Sequence, residues 1–164
     1  MEQLNLLYLK MIDYYRNDPK RIQHFCKVHS FAKLIGELEG ISKEMQATLE
    51  TASLVHDIGI KVSEEKYGNC YGKNQEKEGP AEAEKLLKEL EYPDEMIDRV
   101  CYLVGHHHTY TDIDGLDYQI LVEADFIVNM YEDHEPRKIC ENVYEKIFRT
   151  KAGKTIFRQM FGLD

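Results

Sequence analysis

The chain has 164 residues, of which 43% are hydrophobic and 31% charged, with a formal net charge of −9. These totals are typical of one globular domain, and the acidic excess argues against a general surface for duplex nucleic acid, which needs clustered Lys and Arg. No apolar stretch approaches the roughly 20 residues of a membrane span, and the start lacks the basic leader of a signal peptide. We therefore expect a cytoplasmic protein, with no membrane partner, with one domain over residues 1–164 and with reduced thiols at Cys26, Cys70, Cys101 and Cys140.

The first part of the chain predicts three helices in succession. Asp18 is expected to cap the second helix, with Pro19 at its first position and Gly40 near its end, and Ser42 is expected to cap the third. The first and third helices each carry an apolar face at helical spacing. These faces consist of Leu4, Leu7, Met11 and Tyr15, and of Met45, Leu49, Ala52 and Val55.

Residues 59–79 interrupt this pattern with a polar stretch that contains four glycines. A long irregular segment inside a compact domain is more often functional than idle, so we predict a functional loop here. Helices are predicted to resume over residues 80–91, 93–104, about 117–131, and from 136 towards the C-terminus. No strand pattern of convincing length appears. The sequence predicts an all-α, single-domain helical bundle, with its functional core at about 20–135 and C-terminal helices over 136–162.

Polar side chains of metal-ligand type occupy inward positions on three of these helices. His29 follows an apolar stripe of the second helix, His56 and Asp57 interrupt the run "SLVHDIGIK", and Asp125 continues the series of Leu121 and Val128. A lone buried carboxylate is costly unless it is paired, hydrogen-bonded or bound to a metal. Taken alone, the position of His29 is also typical of a histidine that is hydrogen-bonded in the core. Taken alone, the position of Asp125 is also typical of a carboxylate that caps a helix or pairs with Arg. Together the four favour a divalent transition metal with open positions between the core helices.

The order His29, His56-Asp57, Asp125 resembles the H…HD…D signature of the HD superfamily of metal-dependent phosphohydrolases, and "HDIG" is close to its commonest form. The resemblance implies an all-α HD-type fold with His29, His56, Asp57 and Asp125 as ligands of one catalytic ion. It also implies hydrolysis of a small phosphoester, often a nucleotide, by attack of metal-bound water that Asp57 orients or deprotonates. Mn, Fe, Co, Ni or Zn would each suit two His and two Asp.

The chain departs from the binuclear members of this superfamily, which resemble H…HD…H…H…D. Where the first additional His is expected, the sequence has Gln75, Glu76 and Glu78, which we take as candidate substrate-binding residues. The second region holds three consecutive histidines, and we predict that His106 or His107 faces the cleft as a catalytic acid or phosphate donor, with His108 the weakest candidate. A second ion is therefore expected to bind more weakly, if at all.

Other residues complete the predicted site and its surroundings. Lys61, just past Gly59, is expected to bring a cation to a substrate phosphate, and Glu123 is expected to face solvent. Substrate choice is assigned to residues 61–79 and 106–117. The C-terminal apolar stripe predicts packing against the core or in a homodimer, and it consists of Ile139, Val143, Ile147, Ile156 and Met160.

Two alternatives to the phosphohydrolase follow from the same residues. The first is an iron oxygenase of the HD type, which oxidises a small organic substrate at a di-iron site, although a di-iron pair needs more ligands than four. The second is a metal-containing ligand-binding module that turns nothing over. Phosphate release, oxygen consumption with iron, or stabilisation by a nucleotide without turnover distinguishes the three.

Overall fold

The computed structural model describes residues 2–163, and these residues form helices joined by short connections, without a strand. The predicted all-α architecture is confirmed. The helices are α1 (Gln3–Tyr14), α2 (Pro19–Glu39), α3 (Lys43–Val55), α4 (Gly59–Tyr67), α5 (Gly72–Glu89), α6 (Asp94–Val104), α7 (Leu116–Glu132), α8 (Arg137–Ile147) and α9 (Lys151–Phe161). No helix in the described part of the chain is both long enough and apolar enough to cross a membrane.

The N-terminal caps of α2 and α3 form as the sequence predicts. The Asp18 side chain accepts a hydrogen bond from Arg21 N, and the Ser42 hydroxyl accepts one from Met45 N. Both caps satisfy donors that would otherwise be left free at a helix start. Gly40, with φ of 69°, then ends α2 in the left-handed conformation.

The centre of the fold is α2, which packs against α3 on one side and α7 on another. Because α2 is covered from more than one direction, its buried residues are spread around much of its circumference. They include His24, Phe25, Val28, His29, Ala32, Ile35 and Gly36. The helices α4, α5 and α6 pack in sequence, so that α5 lies against both neighbours.

The prediction of an irregular loop over residues 59–79 is wrong. The region forms α4 and the start of α5, separated by a short turn after Gly68, and α5 continues through Pro80. Proline inside a helix removes one backbone hydrogen bond, and the packing of α5 on α4 and α6 compensates for this local cost.

The C-terminal region, for which helices were predicted over residues 136–162, consists of α8 and α9. It breaks between α8 and α9, where the Thr150 hydroxyl caps α9 by accepting from Gly153 N. Glu123, predicted to face solvent, is fully buried and reaches this break from α7. A helix covered by neighbours on several sides has no solvent face at such a position, and α7 is buried along most of its length.

Candidate metal centre

Four side chains from α2, the α3 terminus and α7 meet at one buried point. His24 Nε2 lies 3.2 Å from His56 Nε2, from Asp57 Oδ2 and from Asp125 Oδ1. His56 Nε2 in turn lies 3.4 Å from Asp57 Oδ2 and 3.5 Å from Asp125 Oδ1. The His56 side chain is completely buried, whereas Asp57 lies on the wall of an open cleft. Two imidazole nitrogens and two carboxylates therefore converge.

The outer atoms of these ligand-type residues are held by hydrogen bonds. His56 Nδ1 donates to Ser53 O at 2.7 Å, and this bond leaves Nε2 as the lone-pair nitrogen that points at the cluster. His24 Nδ1 lies 3.2 Å from Glu132 Oε1, and Asn129 Nδ2 donates to Asp125 Oδ1 at 2.9 Å. Such outer contacts orient metal ligands in proteins.

His29, predicted as the first ligand, does not lie in this cluster, and the α2 histidine that does lie in it is His24. The His29 ring lies between Tyr8 Oη and Glu50 Oε2, with the His29 Nε2 to Glu50 distance 3.0 Å. Five residues along an α-helix turn a side chain by about 140° around the axis. His24 and His29 therefore face different neighbours although both are buried, and only His24 faces α7 and the α3 terminus.

A second group of nitrogen ligands lies on the other side of Asp57. His107 Nε2 is 3.4 Å from Asp57 Oδ1, and this buried nitrogen makes no hydrogen bond, while His107 Nδ1 bonds to Val104 O at 2.8 Å. One ligand atom from each of Asp57, His107 and His108 can be chosen so that the three lie within 4.8 Å of one another. Asp57 thus presents one oxygen to the first group and the other to the second group.

The three consecutive histidines have different environments. His106 is stacked on the Tyr102 ring with its Nδ1 bonded to Tyr102 O, so it lies away from the cluster. His108 lines the cleft and its Nε2 lies 3.1 Å from Gln75 Oε1. The prediction of His106 as a residue facing the cleft is therefore wrong, and so is the ranking of His108 as the weakest candidate. The turn after α6 directs successive side chains to different sides.

The acidic and amide residues before Pro80 have separate contacts. Gln75 lines the cleft, and its Nε2 donates to Cys70 O at 2.6 Å. Glu76 Oε1 accepts from His108 N and Thr109 Oγ1, so it holds the histidine turn. Glu78 instead pairs with Lys66 and Tyr67 outside the cleft. Of Gln75, Glu76 and Glu78, the structure brings only Gln75 to the cleft wall.

Lys61, predicted as a phosphate-binding cation, lies outside the cleft. Its Nζ approaches Tyr14 O at 3.5 Å and lies 5.1 Å from the centre of the Tyr14 ring. The α4 helix, absent from the sequence prediction, turns this side chain away from the cleft and towards the end of α1. A different cation, Lys20, lines the cleft.

The cleft has a volume of about 330 Å³ and opens next to the start of α2. Arg21 also lines it, but its guanidinium is engaged by Asp18 at 2.9 Å and by Glu64. Lys20 makes no ion pair with any described residue, and it sits in the first turn of α2, where the helix dipole favours anions. No sequence signal distinguished Lys20 from the other lysines.

The protein's own charges make this centre attractive to a cation. Burial by itself lowers the pKa of His56, yet the Asp57 and Asp125 carboxylates raise that pKa well above its ordinary value. Burial raises the pKa of Asp57, but the neighbouring imidazoles, His56 first, hold it well below its ordinary value. The buried Asp125 and half-buried Asp57 carboxylates, lying side by side, therefore require positive charge beside them. A divalent cation meets this requirement with both imidazoles neutral, so the donor set fits a metal.

His108 is suited to act as a neutral nitrogen ligand. Burial and the neighbouring His107 ring lower its pKa to about 4, so the imidazole is uncharged near pH 7. The unpartnered Nε2 of His107 is the other observation that fits a cation on this side, because buried polar nitrogens are rarely left without a partner.

The fold and the site together define an all-helical protein with a cluster of His and Asp side chains, suited to hold a divalent metal, at the base of a small cleft. The HD domain family model matches residues 21–147, a range that contains both ligand groups, and the chain belongs to this family. No curated protein sequence matches the chain at a significant level. A crystal structure of a predicted HD superfamily hydrolase from an uncultured Thermotogales bacterium shares the fold, with a TM-score of 0.69 at 20% identity over 96% of this chain and 84% of that chain.

Proposed function

We propose that the protein is a metal-dependent hydrolase of small phosphoesters, such as a nucleotide or a related phosphate. The observation that carries the proposal is the position of Asp57, whose two carboxylate oxygens face two groups of nitrogen ligands at the base of a cleft. Membership of the HD domain family supports it, as does the likeness to a protein described as a predicted hydrolase.

The ligand set follows from the contacts. His24, His56, Asp57 and Asp125 would hold the more tightly bound ion, and Asp57 with His107 and His108 would hold a second, weaker one. A divalent transition metal held there would supply Lewis-acid charge to a phosphoryl oxygen and would lower the pKa of a coordinated water towards about 7. Mn, Fe, Co, Ni and Zn all suit these donors.

The chain's own residues would then position the reactants. Asp57 would accept a hydrogen bond from the attacking water and orient it, which is the role that its exposure to the cleft allows, and the proton of that water would leave to solvent through the open cleft. Gln75 fixes the His108 ring by accepting at Oε1, so it shapes the cleft wall rather than binding the phosphate. Lys20, free of ion pairs, binds the substrate phosphate at the mouth.

The lining of the cleft favours a compact phosphate end of the substrate. Among the described residues, the lining contains no Phe or Tyr on which a nucleobase could stack. The volume of the cleft is about 330 Å³. Pockets that bury a whole drug-sized ligand are about 300–1,000 Å³. The cleft therefore takes the phosphate and the adjoining carbons, and a larger organic group would extend towards solvent.

The test begins with metal analysis of the purified protein and of the Asp57→Asn variant, before and after reconstitution with Mn or Co. Phosphate release is then assayed over a panel of phosphomonoesters that includes nucleotides and sugar phosphates. Bound metal together with phosphate release, both strongly reduced in the variant, supports the hydrolase. Bound metal without release from any panel member contradicts it, as does release that survives in the variant.

A matched pair of variants separates the two candidate cations. Lys20→Ala should raise KM about tenfold with kcat little changed, because a charge-assisted contact to phosphate is lost. Lys61→Ala should leave both constants near the wild-type values, since its amine lies on Tyr14 outside the cleft. The reverse result would restore the role first predicted for Lys61.

The oxygenase remains the second candidate, and a specific observation favours it. The groups on the two sides of Asp57 supply more ligands than the four that the sequence indicated, and a shared carboxylate suits a pair of iron ions. Oxygen consumption by the iron-loaded protein with an organic substrate, without phosphate release, would favour this activity. Retained metal with neither reaction would favour a binding module.

A further inference from the structure

Outside the candidate metal centre, a second network of hydrogen-bonded polar side chains joins α1, α2 and α3. Tyr8 Oη contacts His29 Nδ1, His29 Nε2 lies 3.0 Å from Glu50 Oε2, and Gln46 Nε2 donates to Glu50 Oε1 at 2.8 Å. Both His29 and Glu50 are only 8% exposed. An ionised carboxylate can only accept, so His29 Nε2 carries the hydrogen and Tyr8 donates to Nδ1.

This arrangement leaves the Glu50 charge with neutral partners. Burial lowers the pKa of His29, so the imidazole is uncharged near pH 7 although it bonds to a carboxylate. Gln46 is a neutral amide, and no Lys or Arg nitrogen of the described residues lies within 4.0 Å of Glu50. Buried carboxylates normally have a cation beside them, because removing the charge from water is costly.

A cavity of about 460 Å³ lies next to Glu50 and opens to solvent. Its walls come from the start of α1, the α2–α3 connection, α3 and the start of α6, and it shares no lining residue with the metal cleft. Leu4, Ile41, Ala47 and Met96 make part of the wall apolar. The charged lining residues besides Glu50 are Glu37 and Lys43, and the Lys43 amine forms no ion pair with Glu50. The size falls within the range of about 300–1,000 Å³ that is typical of small-molecule sites.

We infer that this cavity binds a small primary amine with a compact apolar body, whose ammonium group pairs with the Glu50 carboxylate. The ammonium supplies the missing counter-charge, and the carbon body covers the apolar wall. An anionic ligand is disfavoured because the two carboxylates of the lining, Glu37 and Glu50, outnumber its one cation, Lys43. A neutral alcohol of the same shape fills the space but leaves Glu50 without a cation. The site is separate from the metal centre and does not depend on the proposed hydrolase activity.

The experiment uses 2-phenylethylamine as the probe, with 2-phenylethanol as its neutral counterpart, in titrations of isotopically labelled full-length protein by NMR. Saturable shifts at Leu4, Ile41 and Met96 are expected with the amine. The alcohol should bind at least about tenfold more weakly, as should the amine to the Glu50→Gln variant, because a charge-assisted contact is lost. Glu37→Gln, at the same cavity, is the matched control and should change the dissociation constant less than Glu50→Gln does.

Two further variants distinguish a specific loss of amine binding from a general loss of folding. Ala47→Phe, at an exposed position of the wall, should block binding by filling the cavity without changing any charge. Asp57→Ala should leave amine binding unchanged, because the metal cleft is separate. Equal affinities for amine and alcohol would overturn the inference. So would binding that survives both Glu50→Gln and Ala47→Phe, binding that is lost in Asp57→Ala, or the absence of saturable shifts at the cavity residues.

Discussion

The hydroxyl of Tyr15, at the end of α1, donates a hydrogen bond of 2.6 Å to the backbone carbonyl of Asp57. Tyr15 is only 4% exposed and lies before the part of the chain that matches the HD domain family. The bond therefore ties the first helix to the turn that carries His56 and Asp57. Because that turn sets the direction of the Asp57 carboxylate, α1 contributes to the geometry of the candidate metal centre.

Replacing Tyr15 by Phe should weaken metal binding without removing a ligand. The lost hydrogen bond leaves the Asp57 carbonyl without this donor, and we expect a loss of about 1–3 kcal/mol in the free energy of unfolding. Metal affinity should fall by about tenfold, as for other residues that orient a ligand. Urea unfolding and metal titration by calorimetry measure the two effects.

Tyr14→Phe is the matched control for this experiment. The Tyr14 hydroxyl donates to Ile58 O at 3.3 Å, a longer bond to the residue that follows Asp57. Its loss should change metal affinity less than the loss of the Tyr15 hydroxyl does. If the two variants bind metal with equal affinity, the Tyr15 bond does not position Asp57.

His24 and His29 give opposite expectations for substitution by Ala. His24→Ala removes a nitrogen at the centre of the ligand cluster, so metal affinity should fall by at least about 100-fold, beyond the usual effect of an outer contact. His29→Ala should retain metal but lose about 1–3 kcal/mol of stability, because Glu50 loses a buried donor. Metal content after dialysis and urea unfolding distinguish these effects. Loss of metal in His29→Ala alone would support the ligand set first predicted from the sequence.

The sequence predicts the parts of the site that depend on local pattern. It does not predict the features that depend on which neighbouring helix a side chain faces. The caps at Asp18 and Ser42, the HD pair and the inward position of Asp125 follow from spacing and chemistry that are readable along the chain. His24 could not be chosen over His29, because α2 is buried around much of its circumference and periodicity does not say which side meets α7.

The errors in the loop regions have a similar origin. The four glycines of residues 59–79 indicated a loop, yet they serve close packing and helix termination. Gly68 ends α4 with a φ of 68°, and Gly59 lies against the backbone of α5. Because the sequence did not indicate α4, the direction of the Lys61 side chain could not be predicted. The exposure of Lys20 at the cleft could not be predicted either. These features depend on tertiary contacts that no local propensity contains.

Gly59→Ala should damage both stability and the cleft. A β-carbon at Gly59 would lie 2.6 Å from Gln75 O and 2.9 Å from Gly79 N, both backbone atoms that cannot move away singly. The α5 helix must shift, at a cost of about 1–3 kcal/mol, and Gln75 and the His108 ring that it holds shift with it. Thermal unfolding and metal stoichiometry test this, with Glu65→Ala, at an exposed position of α4, as the control. A variant with wild-type stability would show that the two helices separate easily.

Glu123 is expected to contribute strongly to stability although it lies outside the metal centre. Its carboxylate accepts four hydrogen bonds, from Gln119 Nε2, Arg149 N, Thr150 N and Thr150 Oγ1, and its side chain joins α7 to the break between α8 and α9. Glu123→Ala leaves two backbone donors without a partner, and we expect a loss of about 3 kcal/mol in the free energy of unfolding. The exposed Glu145 of α8 is the control, and its substitution by Ala should change stability by less than about 0.5 kcal/mol. Metal affinity of the folded Glu123→Ala variant should stay close to that of the wild type, because none of these bonds reaches a metal-ligand residue. Equal unfolding free energies for the two variants would contradict the anchoring role.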